Sequence, residues 1–379
     1  MTSMRRTDID GLRILMCASI IAAHALLIFS AEPRYHIKSA EPSFIATALF
    51  ELIHVTTMAM FFVLAGWSAV TSLRGRGVGS FALERLTRLL VPLVTGLLLF
   101  GSIIKYVELS HGRDIGFYGL RMVEPLQVSF FEFFPRNLMR MKLLTWSHLW
   151  FLVYLFLMSL ALLPLLVRLA RIVPSNIVPA AFVVYLPALP MAALLVAFNG
   201  YWPFLPNLIT DWTNFAYFAL CFVIGAGIAA WPGCETRVRA EAGRLLLLML
   251  LASIGLVLSG ESAAGRLFIG LTAWGAIGAG LGFAARIKPA PTRTFSYLSE
   301  ATLPIYIVHH APLLLLAVAI VPLPMSVGVK IMLIWLGALA ISMAAYHWLI
   351  RPWPPMRWLM GMSPQVKKIM PSSPKHSPV

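Results

Sequence analysis

The chain has 379 residues, of which 59% are hydrophobic and only 12% charged, with a mean hydropathy of +0.83. A water-facing domain of this size needs roughly 25% charged residues, so a soluble fold is excluded. The formal net charge of +15 does not point to nucleic acid, because the basic residues are scattered between apolar runs instead of forming a patch.

The first apolar run is Asp10–Phe29, DGLRILMCASIIAAHALLIF. Its length, with Asp8, Asp10, Arg13 and His24, reads as an uncleaved first helix and not as a signal peptide. Arg13 and His24 are separated by about 1100° of helical rotation, three turns plus about 20°. They therefore share one face, about 16 Å apart along the axis. An ionisable group inside a spanning helix costs on the order of 2.5 kcal/mol or more, which makes function its default reading. Arg13 alone would read as a snorkelling anchor; its alignment with His24 raises both.

Further runs of spanning length, about 17–25 residues, fall near 46–72, 86–107, 149–167, 177–198, 213–231, 243–260, 266–285, 302–321 and 327–350. The expected fold is an all-α, polytopic membrane bundle of about ten transmembrane helices. An even number puts both termini on one side. Arg74, Arg76, Arg85, Arg88, Arg237, Arg239, Arg286, Lys288 and Arg293 then make that side cytoplasmic. The loop after the third run runs against this trend, and its stretch FFEFFPRNLMRMKLLTW reads as an interfacial amphipathic helix. Residues 1–360 form the membrane domain, and 361–379, rich in Pro, Ser and Lys, are expected to be a disordered cytoplasmic tail. The three cysteines, Cys17, Cys221 and Cys234, form no CxxC and no disulfide framework.

Several polar residues interrupt the apolar runs. Glu51 and His54 are three apart on one face of the second run, as an acid–base pair or a proton path would require. Arg85 and Arg88 at the start of the third could clamp a phosphate or serve as plain positive-inside anchors. His148, Trp150 and Tyr154 open the fourth, where Trp and Tyr suit the interfacial belt. Tyr306, His309 and His310 lie within the ninth. Adjacent histidines point to different helix faces, so at most one is expected in any given site. The histidines are too dispersed to argue a metal site, and none is expected. A basic mouth with a histidine deep inside suits an anionic donor that anchors its phosphates at Arg13, Arg85 and Arg88 and threads its reactive end inward. His24 would act there as general base or nucleophile in acyl transfer from an acyl-CoA.

With these residues in view, the sequence resembles the membrane acyltransferase-3 family, whose first span carries an arginine and a histidine at the spacing of Arg13 and His24. KSAEPS (38–43), ELIHVTTMAMFFVLAGW (51–67), SHLWFLVYL (147–155) and LPIYIVHHAPL (303–313) extend the resemblance across most of the chain. One departure is Ala65 in FFVLAG, where the family pattern has serine. The resemblance implies a bacterial inner-membrane O-acyltransferase that moves an acyl group, succinyl in the nearest subfamily, from cytoplasmic succinyl-CoA or acetyl-CoA to a periplasmic glucan. His24 would be the catalytic base, assisted by Glu51 or His54, and Arg13 would bind the donor. His148, Trp150, Tyr306 and His309 would serve the acceptor or support the site. Acyl-CoA is then a co-substrate, no bound cofactor is implied, and the partners are membrane lipid and an oligosaccharide acceptor. Three rivals remain: O-acetylation of a lipid-linked or surface saccharide, a proton-coupled transporter or flippase, and a non-catalytic export partner, in which the intramembrane polar residues would tolerate substitution. The transporter is disfavoured because no paired broken spans recur in two halves.

Overall fold

The computed structural model describes residues 6–116, 119–139, 146–202 and 206–364. In chain order the helices are α1 (Thr7–Ile28), α2 (Phe44–Gly75), α3 (Val78–Ser110), α4 (Phe130–Met139), α5 (Ser147–Ala161), α6 (Leu163–Arg171), α7 (Ala181–Ala197), α8 (Trp212–Ala230) and α9 (Pro232–Ala240). After them come α10 (Ala242–Ser259), α11 (Ala263–Ile287), α12 (Arg293–Val308), α13 (His310–Ile320), α14 (Val327–Ile350) and α15 (Pro354–Leu359). Between α3 and α4 a two-stranded antiparallel hairpin pairs β1 (Arg113–Gly116) with β2 (Gly119–Met122).

Among the described residues, seven single helices are long and apolar enough to cross a membrane, and nine if each of two bent pairs counts as one span. The expected runs, about ten, correspond to these nine and one shorter apolar helix. The expected span 177–198 is the shorter α7, which opens as a 3-10 turn before Pro187. The run 149–167 breaks by 64° between α5 and α6, with proline at the start of α6. The run 302–321 breaks by 61° between α12 and α13. Each break lies beside a proline, which removes a backbone donor and clashes with the turn before it. The same cause accounts for two π-helical turns: Leu86–Leu90 precedes Pro92, and Tyr346–Ile350 precedes Pro352. The expected amphipathic segment contains α4; residues 140–145 of that stretch lie outside the described residues, as does the tail beyond 364.

The helix α1 is central and packs on α2, α11, α12, α13 and α14. Its first turn carries Asp8 and Asp10, favourable at the positive end of the helix dipole. Arg6 ties Asp8 (2.7 Å) to Glu235 of α9 (2.5 Å). The tightest crossing is α2 on α8. A Cβ at Gly66 would stand 1.8 Å from the Phe222 carbonyl oxygen, and one at Gly225 would stand 1.9 Å from that of Val63. Only glycines permit this approach, as expected for helices that associate by backbone contact in lipid. The outer faces of α10 and α14 expose Leu250, Leu251, Ile254, Leu333, Leu336 and Ile341, the surface a bilayer requires. The chain is a multi-pass membrane protein.

Candidate active site

The site has two parts, a cationic cavity and a cluster of imidazoles, joined at Tyr306. The cavity has a volume of about 970 Å³ and runs among α1, α2, the π-turn of α3, α5, α12 and the segment after α14. The expected donor arginines Arg13, Arg85 and Arg88 all line it, together with Arg293, Arg351 and Arg357. Six arginines face two carboxylates, Asp10 and Glu300, so the cavity attracts anions. Arg13 donates to Ser68 Oγ at 2.5 Å and lies 3.6 Å from Asp10. Arg85 stacks on Phe81 at 4.7 Å, and its buried Nε has no hydrogen-bond partner. Arg88 pairs with Glu84 at 3.2 Å. Gly361, Met362 and Ser363 close one side, so the boundary expected at 361 falls inside the cavity wall.

Tyr306 lines this cavity and donates its hydroxyl to the His148 carbonyl at 2.5 Å. Behind it the imidazoles gather. The His24 ring lies 4.6 Å from His310, 5.5 Å from His309 and 6.5 Å from His148, between centroids. His148 stacks on His310 at 4.6 Å. Both adjacent histidines therefore join one site, contrary to the expectation of at most one. The reason is the break after Val308: His309 caps α12 and His310 begins α13, so they do not diverge as on a continuous helix.

Hydrogen bonds select the tautomers. His309 Nδ1–H donates to the Tyr306 carbonyl at 2.8 Å, leaving its buried Nε2 as a lone pair without a partner. His148 Nε2–H donates to the Ile307 carbonyl at 3.1 Å, leaving Nδ1 in the same condition. The Nδ1 atoms of His24 and His310 are also buried and unpartnered. A neutral imidazole with a bare nitrogen is a proton acceptor. The ligand nitrogens of His24, His309 and His310 also lie within 4.8 Å of one another, near enough to share one small cation.

The other expected site residues lie elsewhere. Glu51 is on the exposed face of α2, and His54 stacks on Phe50 at 5.5 Å. Trp150 packs with Tyr154 (5.0 Å) and Phe218 (5.4 Å) as part of an aromatic core. Sequence reasoning missed a second polar group beside the cluster. The segment between α1 and α2 turns back so that Tyr35 stacks on His24 at 6.0 Å and the His36 ring lies 4.9 Å from His310. His36 Nδ1 meets Glu108 at 2.5 Å, and His36 Nε2 meets Ser147 Oγ at 2.9 Å. Glu108 also binds Lys105, which reaches Asp114 of the hairpin at 3.0 Å. Lys105 and Glu108, three apart inside an apolar run, were the available signal.

Against known proteins, residues 6–350 match the model of a family described as "Acyltransferase domain", the acyltransferase-3 family. The chain is 22% identical over 392 residues to "Glucans biosynthesis protein C" of Escherichia coli O17:K52:H18 (strain UMN026 / ExPEC), covering 97% of both chains. No solved structure matches it.

Proposed function

Since this chain belongs to the acyltransferase-3 family and is an O-acyltransferase embedded in a membrane, we propose that it moves an acyl group, succinyl in the first instance, from cytoplasmic acyl-CoA to hydroxyls of a glucan across the inner membrane. The observation that carries this reading is the continuity from the arginine-lined cavity to Tyr306, whose hydroxyl bonds the His148 backbone beside His24. The volume of about 970 Å³ is at the upper end of small-ligand sites, about 300–1,000 Å³, as a long anionic thioester demands. Phosphates bind Arg13, Arg85 and Arg88, whose planar guanidinium groups suit phosphate oxygens. The pantetheine arm passes Cys17, Ile20 and Phe61, and the thioester reaches Tyr306. His24 accepts the proton of the sugar hydroxyl as it attacks the acyl carbonyl. The C–S bond then breaks, and the coenzyme leaves as its thiol with that proton. Binding the coenzyme far from the reacting carbonyl holds the reactive end in place and lowers the entropic cost of the transfer. The glucan acceptor takes its support from the relative's name alone.

The test uses inverted membrane vesicles loaded with glucan and supplied outside with labelled succinyl-CoA or acetyl-CoA. Label on the enclosed glucan, from succinyl-CoA in preference to acetyl-CoA, supports the full reading. Label from acetyl-CoA alone replaces the acyl group, and no label from either donor overturns the donor assignment.

A further inference from the structure

Ser147, His36 and Glu108 make an ordered chain that the transfer mechanism above leaves unused. His36 donates Nδ1–H to Glu108 at 2.5 Å. A neutral imidazole has one N–H, so Nε2 is an acceptor, and Ser147 donates its hydroxyl there at 2.9 Å. That is the arrangement of nucleophile, base and orienting carboxylate that activates a serine in acyl-transfer enzymes. Glu108 is fully buried, and its second oxygen is held by Lys105 and by the Ile115 backbone N–H at 3.2 Å. The carboxylate is thereby fixed on both sides. Ser147 has φ of 41°, a left-handed conformation that non-glycine residues adopt at a cost and that concentrates at active sites. It also begins α5. The His36 and His148 rings both contact His310, so the serine adjoins the imidazole cluster.

We propose that Ser147 is a nucleophile that holds the acyl group as a serine ester between donor and acceptor, with His36 as its base and Glu108 as the positioning residue. This rests on the proposed function and divides its single transfer into two half-reactions. In the first, Ser147 Oγ attacks the thioester carbonyl and its proton passes to His36 Nε2. The C–S bond breaks, and the proton leaves with the coenzyme thiol. In the second, a sugar hydroxyl attacks the serine ester and gives its proton to an imidazole. The bond to Ser147 Oγ breaks and the serine recovers a proton, leaving the enzyme unchanged.

The test uses the full-length purified protein with labelled succinyl-CoA and no acceptor, quenched and digested for peptide mass analysis. Ser147→Gly removes the hydroxyl while suiting the positive φ, so it is expected to fold; Ser147→Cys keeps a nucleophile. The expected result is label on the peptide bearing Ser147, chased off by added glucan. The label is absent in Ser147→Gly and becomes a hydroxylamine-labile thioester in Ser147→Cys. Acyl transfer in Ser147→Gly falls by about a hundredfold or more. Transfer at the wild-type rate in Ser147→Gly overturns the serine ester and leaves the proposed function intact. A fluorophosphonate probe reports on the triad independently of any donor. Modification of Ser147 that slows in His36→Ala, and in Glu108→Asp with an altered pH profile, supports the triad even if no acyl-CoA is used. Failure of the probe to modify Ser147 in a folded, active protein overturns it.

Discussion

Glu300→Gln has two consequences of opposite sign, because Glu300 is both a structural partner and a charge in the cavity wall. Its carboxylate accepts from Arg357 Nη2 at 2.7 Å and from the Tyr346 hydroxyl at 2.9 Å, with Arg351 Nε 4.0 Å away. Arg357 is 1% exposed and also donates to the Ser363 carbonyl at 2.8 Å. Hydrogen bonds to charged groups are worth about 1.5–3 kcal/mol, and stranding a buried partner costs about 3–5 kcal/mol. Glu300 is itself one-third exposed and glutamine keeps an acceptor, so a loss of about 2–3 kcal/mol is expected. The cavity meanwhile retains six arginines against Asp10 alone. An anion about 6 Å from Glu300 is repelled by about 3 kcal/mol at an effective dielectric of about 20. Discounted to about 1 kcal/mol for open water and salt, removing that repulsion tightens binding about fivefold. The assay pairs an unfolding midpoint in detergent with coenzyme A titration by calorimetry. A lower midpoint with tighter coenzyme binding is the expected pair. A lower midpoint with unchanged or weaker binding refutes the assignment of this cavity to the anionic donor.

Other expectations address the scaffold and the loop chemistry. Gly66→Ala puts a methyl where the Phe222 carbonyl stands, so α2 and α8 must separate; a loss of about 1–3 kcal/mol or more in detergent unfolding is expected, and a neutral result would contradict the close crossing. Lys38 in the α1–α2 segment donates to the carbonyls of Leu27 (2.5 Å) and Ser30 (2.7 Å) at the end of α1. Burial lowers its pKa to about 8, with Arg113 adding to the fall and Glu32 opposing it. Amine-labelling of Lys38 should therefore reach its midpoint near pH 8, and a midpoint near 10.5 would contradict the burial. Between those values the unfolded chain holds the proton that the fold has released, so this group's contribution to stability rises with pH. If His24, His309 and His310 act as free bases, prolonged treatment with a chelator leaves the transfer rate unchanged. Loss of activity restored by zinc would instead make them metal ligands.

What could be read from the sequence follows from what helical periodicity carries. Arg13 and His24 share a face because both lie on one helix, and Arg85 and Arg88 share a turn for the same reason; all three arginines line the cavity. Periodicity does not report which helix a face meets. The approach of His148 and His309 to His24 depends on two bent pairs whose angles are set by packing around prolines. His310 could not be placed because the break after Val308 is a tertiary outcome. His36 is 72 positions from Glu108 and lies between helices, with no period to mark it. Glu51 and His54 obeyed the rule for a shared helix face, yet Glu51 is exposed. Arg351 follows α14 and Arg357 lies in α15, with no helical period to relate them to Arg13, whose cavity they share in the fold.

The most direct test of the account is single-turnover acyl transfer by purified wild type, His24→Ala and His24→Gln, at saturating succinyl-CoA with glucan present. Both variants are expected to bind coenzyme A as wild type does, because the cavity arginines are intact. Transfer is expected to fall by about a hundredfold or more, the worth of a positioned general base. Undiminished transfer by folded His24→Ala would contradict the account at its centre.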